Sequence, residues 1–190
     1  MLIPNPITRT IITGIIAPHG ITDLVHAKEN KLLPELYTIN IVSVLGTFAL
    51  DNNAKIILDI LFYTTACYHF RNDMPKIPDI GNQTVLSALM LLAFLTFDPS
   101  LFLYYMIFIH VPNHYLMSWS MLSRDKKYSI IVIALTTMVS IIAGETPGIM
   151  ESHIVEIISK GLILSHIFYE ETFIFKTLPF IEKNNTEMDL

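Results

Sequence analysis

Long apolar blocks separated by short polar turns fill this sequence, and they constrain the fold more than any motif in it. Seven blocks predict helices over roughly Ile7–His26, Glu35–Leu50, Ala54–Phe70, Asn82–Phe97, Ser100–Leu122, Tyr128–Gly144 and Ser152–Phe175. A bilayer core of about 30 Å takes about 20 apolar residues at 1.5 Å each, so several blocks approach spanning length. The short second block reads as a tight hairpin partner of the third. The connectors Asp51-Asn52-Asn53, Asn72-Asp73-Met74-Pro75, Asp98-Pro99 and Glu145-Thr146-Pro147-Gly148 hold the residues that break helices. The expected fold class is all-α: a polytopic integral membrane bundle of about seven transmembrane helices, one domain over residues 1–190.

Composition agrees. Hydrophobic residues make up 52% of the chain and charged residues 15%, against roughly 25% charged in a soluble domain. Cys67 is the one cysteine, so no intrachain disulfide forms. No basic patch interleaved with aromatics points to nucleic acid as a partner. The first block has only Arg9 upstream and no small-residue cleavage site, so it reads as a retained span rather than a signal peptide. Loops after the odd-numbered spans hold Lys28, Lys31, Arg71, Lys76, Arg124, Lys126, Lys127, Lys176 and Lys183; the opposite side has little beyond Arg9 and Lys55. The excess of positive charge predicts that the basic side is cytoplasmic, with the N-terminus outside or lumenal and the C-terminus in the cytosol.

Ionisable groups inside spans are costly and mark function. Helical rise puts His19 about 18 Å into the first span, His110 and His114 about 15–21 Å into the fifth, and His166 about 20 Å into the seventh. His69 lies near the basic end of the third span. Four spans thus carry imidazoles into the same half of the membrane. His110 and His114, four apart, share a helix face and can reach one ion. Imidazole suits iron, zinc, copper or nickel. Taken alone, the His-x-x-x-His spacing fits equally well two histidines bonded to polar neighbours.

Asp23, Asp73 and Glu170 each follow a histidine by four residues. A carboxylate one turn away can accept the second imidazole N–H and hold the ring's tautomer; solvation of a helix end is the other reading of Asp73 and Glu170. Pro18 beside His19, and Pro112 between His110 and His114, each free a backbone carbonyl, which suggests a polar pocket or a packing kink. His26 reads as interfacial, and His153 as structural. Asp59 and Glu156 read as helix-packing or interface residues. Phe62, Tyr63, Phe70, Phe108, Phe168 and Tyr169 could line a path to the histidines, although aromatics fill membrane bundles in any case. Tyr115 and Trp119, on the helix of the histidine pair, are the substrate-pocket candidates.

Three segments resemble the Brp/Blh family of membrane-bound β-carotene 15,15′-dioxygenases: Pro18-His19-Gly20-Ile21-Thr22-Asp23, then Tyr68-His69-Phe70, then His110-Val111-Pro112-Asn113-His114. They occur in the family's order, although Arg71 follows the His-Phe pair where the family usually has Gly. The resemblance implies that His19, His69, His110 and His114 bind one non-haem Fe(2+) and form the catalytic centre. It implies oxidative cleavage of a carotenoid's central double bond by dioxygen to give retinal. A late histidine is also familial, which makes His166 a candidate beside the metal ligands, with Asp23, Asp73 and Glu170. Two alternatives stay open. One is another histidine-metal membrane oxidase or hydroxylase, although the seven histidines include no adjacent pair of the kind two-metal enzymes use. The other is a non-catalytic multi-span protein of transport or assembly.

Overall fold

The computed structural model describes residues 14, 16–74, 79–97, 99–146, 148–149 and 152–174, and all regular structure among them is helical. A 3₁₀ turn over Ala17–Ile21, with Pro18 in its first turn, leads into α1 (Thr22–Asn30). Lys31, at φ 60°, stops α1 in the left-handed region, and its N–H bonds back to the Ala27 and Lys28 carbonyls. α2 (Leu33–Asn53) and α3 (Lys55–Phe70) meet at Ala54. A 3₁₀ turn, Arg71–Asp73, closes α3. α4 (Ile80–Thr96) starts at Asp79, whose side chain accepts from the Gly81 N–H. α5 (Pro99–Tyr105) runs through a π turn, Met106–His110, into α6 (Val111–Leu122). α7 (Lys126–Glu145) is capped by Asp125, and α8 (His153–Tyr169) ends in a second π turn, Glu170–Ile174.

The first predicted block is described only in part, as a 3₁₀ turn and α1; the others coincide with these helices, with one correction. The second block continues through Asp51-Asn52-Asn53 rather than turning there. Asn52 and Asn53 donate their side-chain N–H groups to the Phe48 and Ala49 carbonyls at 2.9 and 2.8 Å, which satisfies the helix end from within. The reversal falls to Ala54, and α2 reaches 21 residues. The start of the first block, Arg9, Pro75, Lys76, Asp98, Pro147, Phe175, Lys176 and Lys183 lie outside the described residues.

Ion pairs show which helix ends lie together. Lys28 and Glu29 of α1 pair with Asp125 and Arg124 between α6 and α7. The ends of α3 and α8 meet through Arg71 and Glu171. At the other end of the bundle, Asp51 of α2 meets His153 at the start of α8. α2 and α8 form the most extensive helix pair. Gly161 makes it possible, because a Cβ there would lie 2.7 Å from the Val44 Cα.

Polarity is distributed inside-out. Val42, Ile56, Phe108, Leu116 and Ile130 stand exposed, while His19, Asp23, His69, Arg71, His110, His114 and Glu170 are buried. Among the described residues α2 and α7 are long and apolar enough to cross a bilayer, and Gly81–Phe94 is a shorter apolar stretch. One apolar cluster, Ala66, Phe70, Leu91, Tyr105, Met106 and Ile167, joins α3, α4, α5 and α8.

Candidate metal centre

Proline shapes the backbone on both sides of the centre. Pro112 has no N–H, and in an ordinary α turn its ring would press on the carbonyl four residues back. The chain widens there instead: the Val111 N–H reaches the Met106 carbonyl, a π-type bond, and His110 closes the widened turn. π turns of this kind recur at functional sites. Pro18 likewise opens the tight turn that carries His19.

Five imidazoles converge. The His19 ring centroid lies 5.2, 5.2 and 5.0 Å from those of His110, His114 and His166. His69 lies 5.2 Å from His110 and 5.6 Å from His166. His114 lies 5.4 Å from His166 and 6.3 Å from His110. Rings bound to a common ion through metal–nitrogen bonds of about 2.0–2.1 Å would have centroids on the order of 4.5–6.5 Å apart. The observed spacings fall in that range.

Three of the rings are held from outside by an acceptor. His19 donates from Nδ1 to the Ile16 carbonyl. His110 donates from Nδ1 to Asp73 Oδ2 at 2.9 Å, an oxygen that also accepts from the Tyr105 hydroxyl. His166 donates from Nδ1 to Asp23 Oδ2 at 2.8 Å. In all three the Nδ1 bond leaves the Nε2 lone pair for coordination.

Glu170 is fully buried among the rings. Its Oε1 contacts His114 Nε2, and its Oε2 lies 3.6 Å from His69 Nε2 and 3.7 Å from His166 Nε2. One ligand atom each from His69, His166 and Glu170 lie within 4.8 Å of one another.

A metal ion suits this donor set. Glu170 Oε2 and His166 Nε2 are buried and have no hydrogen-bond partner among the described residues, a costly state unless an ion takes them. Thr22 adds a second sign. Its hydroxyl donates to the His19 carbonyl at 3.0 Å, so towards His114 Nδ1, 3.5 Å away, its oxygen can only accept. That puts the His114 lone pair on Nε2, facing a carboxylate oxygen. Two acceptors face to face require a cation or a proton between them. Gly20 forms part of the wall: a Cβ there would touch His166 Nδ1 at 3.4 Å.

The structure brings together His19, His69, His110, His114 and His166, the five whose depths agree along the sequence, and sets Glu170 against three of them. It corrects the partners of the carboxylates. Asp23 holds His166 rather than His19, and Asp73 holds His110 rather than His69. A 3₁₀ turn winds about 120° per residue. Such turns at Ala17–Ile21 and Arg71–Asp73 carry each carboxylate off the face of the histidine four residues before it.

The remaining residues fall outside the cluster. Tyr115 packs edge-on to His114 with centroids 6.5 Å apart, whereas Trp119 stands 66% exposed on the outer surface. His26 shares a 2.9 Å hydrogen bond with the Tyr169 hydroxyl, and His153 is exposed beside Asp51. Asp59 and Glu156 both pair with Lys160. Sequence reasoning missed Thr22, Tyr105 and Glu171; Glu171, in the π turn after α8, lies 3.6 Å from His69 Nδ1. A groove of about 480 Å³ between α2, α3 and α8, lined by Val42, Thr47, Leu58, Leu61, Leu164 and Phe168 among others, includes neither Tyr115 nor Trp119. Comparison with family models, with curated proteins and with solved structures returned no match, so the site is read from its own geometry.

Proposed function

We propose that this chain is a membrane-embedded, non-haem iron oxygenase that cleaves a carotenoid to retinal. The observation that carries the reading is the clustering of five imidazoles, four of them buried and the fifth, His166, nearly so, with one buried carboxylate, Glu170, against three of the rings. Membrane embedding is supported by the exposed apolar exterior, which is unusual for a soluble protein, and by the span-length helices α2 and α7. A cytoplasmic basic side is supported by the meeting of the α1 end with the α6–α7 connection, where Lys28, Lys31, Arg124, Lys126 and Lys127 gather.

His19, His69, His110 and His114 would hold the iron, with His166 and Glu170 beside them, which leaves positions free for dioxygen. Ferrous iron would supply the dioxygen chemistry that splits a carbon–carbon double bond into two carbonyls. The chain's own groups do the rest. Asp73, Asp23 and the Ile16 carbonyl keep three rings in one tautomer. Phe70 packs on His110 at 4.9 Å and on His69 at 5.7 Å, which keeps water from that side. An apolar polyene reaches such a site laterally from the lipid, past Tyr115.

The purified chain is expected to hold about one iron, and carotene-producing cells expressing it to lose colour and accumulate retinal, with a His110→Ala control remaining coloured. Iron-free protein, or colour loss in the control, overturns the reading. The fifth imidazole and Glu170 also favour a second reading, a histidine-metal membrane hydroxylase. It is distinguished by a product that keeps the whole carbon skeleton and gains a hydroxyl.

A further inference from the structure

His69 lies between two carboxylates. Glu170 Oε2 stands 3.6 Å from its Nε2, on the side of the cluster, and Glu171 Oε1 stands 3.6 Å from its Nδ1. Glu171 is itself held at several points. Arg71 donates to both of its oxygens at 2.9 Å, a two-point fork, and Asn72 donates to Oε1 at 2.8 Å. Arg71 is fixed in turn: its guanidinium also donates to the Tyr68 carbonyl and lies 3.5 Å over the Tyr68 ring. Arg71 is 9% exposed, so the pair is buried. A buried two-point pair is rigid and directional, beyond what a neutral hydrogen bond provides. The fork ties the end of α3, where His69 sits, to the π turn that carries Glu170.

We propose that Glu171, clamped by Arg71 and Asn72, is the positioning residue that fixes the His69 ring for metal coordination. The proposal rests on the metal reading above and extends it. Asp73 serves His110 in this way, Asp23 serves His166, and Glu171 completes the set for His69. The clamp supplies what a lone carboxylate would lack. The Arg71 fork and the Asn72 donor fix where the Glu171 carboxylate stands, with Oε1 3.6 Å from Nδ1. An imidazole that turns its Nδ1 side to that oxygen turns Nε2 to the ion.

The test uses the full chain in detergent micelles loaded with cobalt(II), whose ligand-field absorption reports the geometry of the coordinated nitrogens. The wild type is expected to bind cobalt, Glu171→Ala to bind it about 10–100-fold more weakly with shifted bands, and Glu171→Gln, which keeps an oxygen acceptor, to recover most of the affinity. A Glu171→Ala chain with wild-type affinity and bands overturns the clamp and leaves the metal reading standing. A wild type that binds no cobalt overturns the metal reading and the clamp with it. If Glu171→Ala loses its helical circular dichroism, Arg71→Lys decides, since it keeps the charge and loses the fork. Shifted bands support the proposal and unchanged bands overturn it.

Discussion

A histidine in this centre is defined as much by the group behind it as by the ion it would face. Asp73 is the plainest case, accepting from both His110 and Tyr105. Replacing Asp73 by Ala is expected to lower metal affinity about 10–100-fold, as read by chelator competition. Glu170→Gln should cost more than Asp73→Ala in the same titration, because among the described residues Glu170 is the one carboxylate in contact with three of the imidazole Nε2 atoms. At this scale the sequence was legible in residue type and depth but misleading in pairing. Four-residue spacing implies one helix face only while the helix stays α. Between His19 and Asp23, and between His69 and Asp73, it does not. Arg71 was harder still. A basic residue just past an apolar block reads as an interfacial cation, and nothing local reveals that Glu171, 100 residues away, will bury it.

Helices carry the next level of argument. α2 and α8 approach closely at Gly161, where an added Cβ would meet the Val44 backbone at 2.7 Å. Gly161→Ala must therefore push the two helices apart, and a loss of about 1–3 kcal/mol is expected in thermal unfolding in detergent. Asp125 at the start of α7 works through charge. The Tyr128 N–H and then Lys28 hold its carboxyl below the ordinary value of 3.8. A depressed carboxylate contributes fully above that ordinary value and loses its contribution as pH falls through the lower one. Helix positions were readable because apolar blocks and their breakers act locally. The end of α2 was not, because Asn52 and Asn53 are turn residues by type and satisfy the helix end only through their side-chain bonds.

For the whole molecule, the proposed placement in a bilayer predicts that the chain sediments with membranes and stays there in high salt, since its exterior is apolar rather than charged. It also predicts sidedness. With Cys67 replaced by Ser and Lys127 by Cys, a membrane-impermeant maleimide should label the chain in intact cells only after permeabilisation. Labelling from outside would reverse the assignment. Removing Arg71 from the tally of basic-side charges leaves that prediction unchanged, because Lys28, Lys31, Arg124, Lys126 and Lys127 suffice. The clustering of imidazoles at one depth was visible in the sequence as arithmetic along each helix. Which helices adjoin was not, and that adjacency turned a shared depth into a shared centre.

Asp23 and His166 are 143 residues apart. A ribosome adding about 5–20 residues per second takes roughly 7–30 s to go from one to the other. Throughout that interval the earlier imidazoles are already made, and the ring and carboxylate of the last helix are still missing. On the proposed metal reading, loading of an ion is therefore a late event of biosynthesis, and a nascent chain stalled before α8 would carry an incomplete claw that releases metal far more readily than the finished protein.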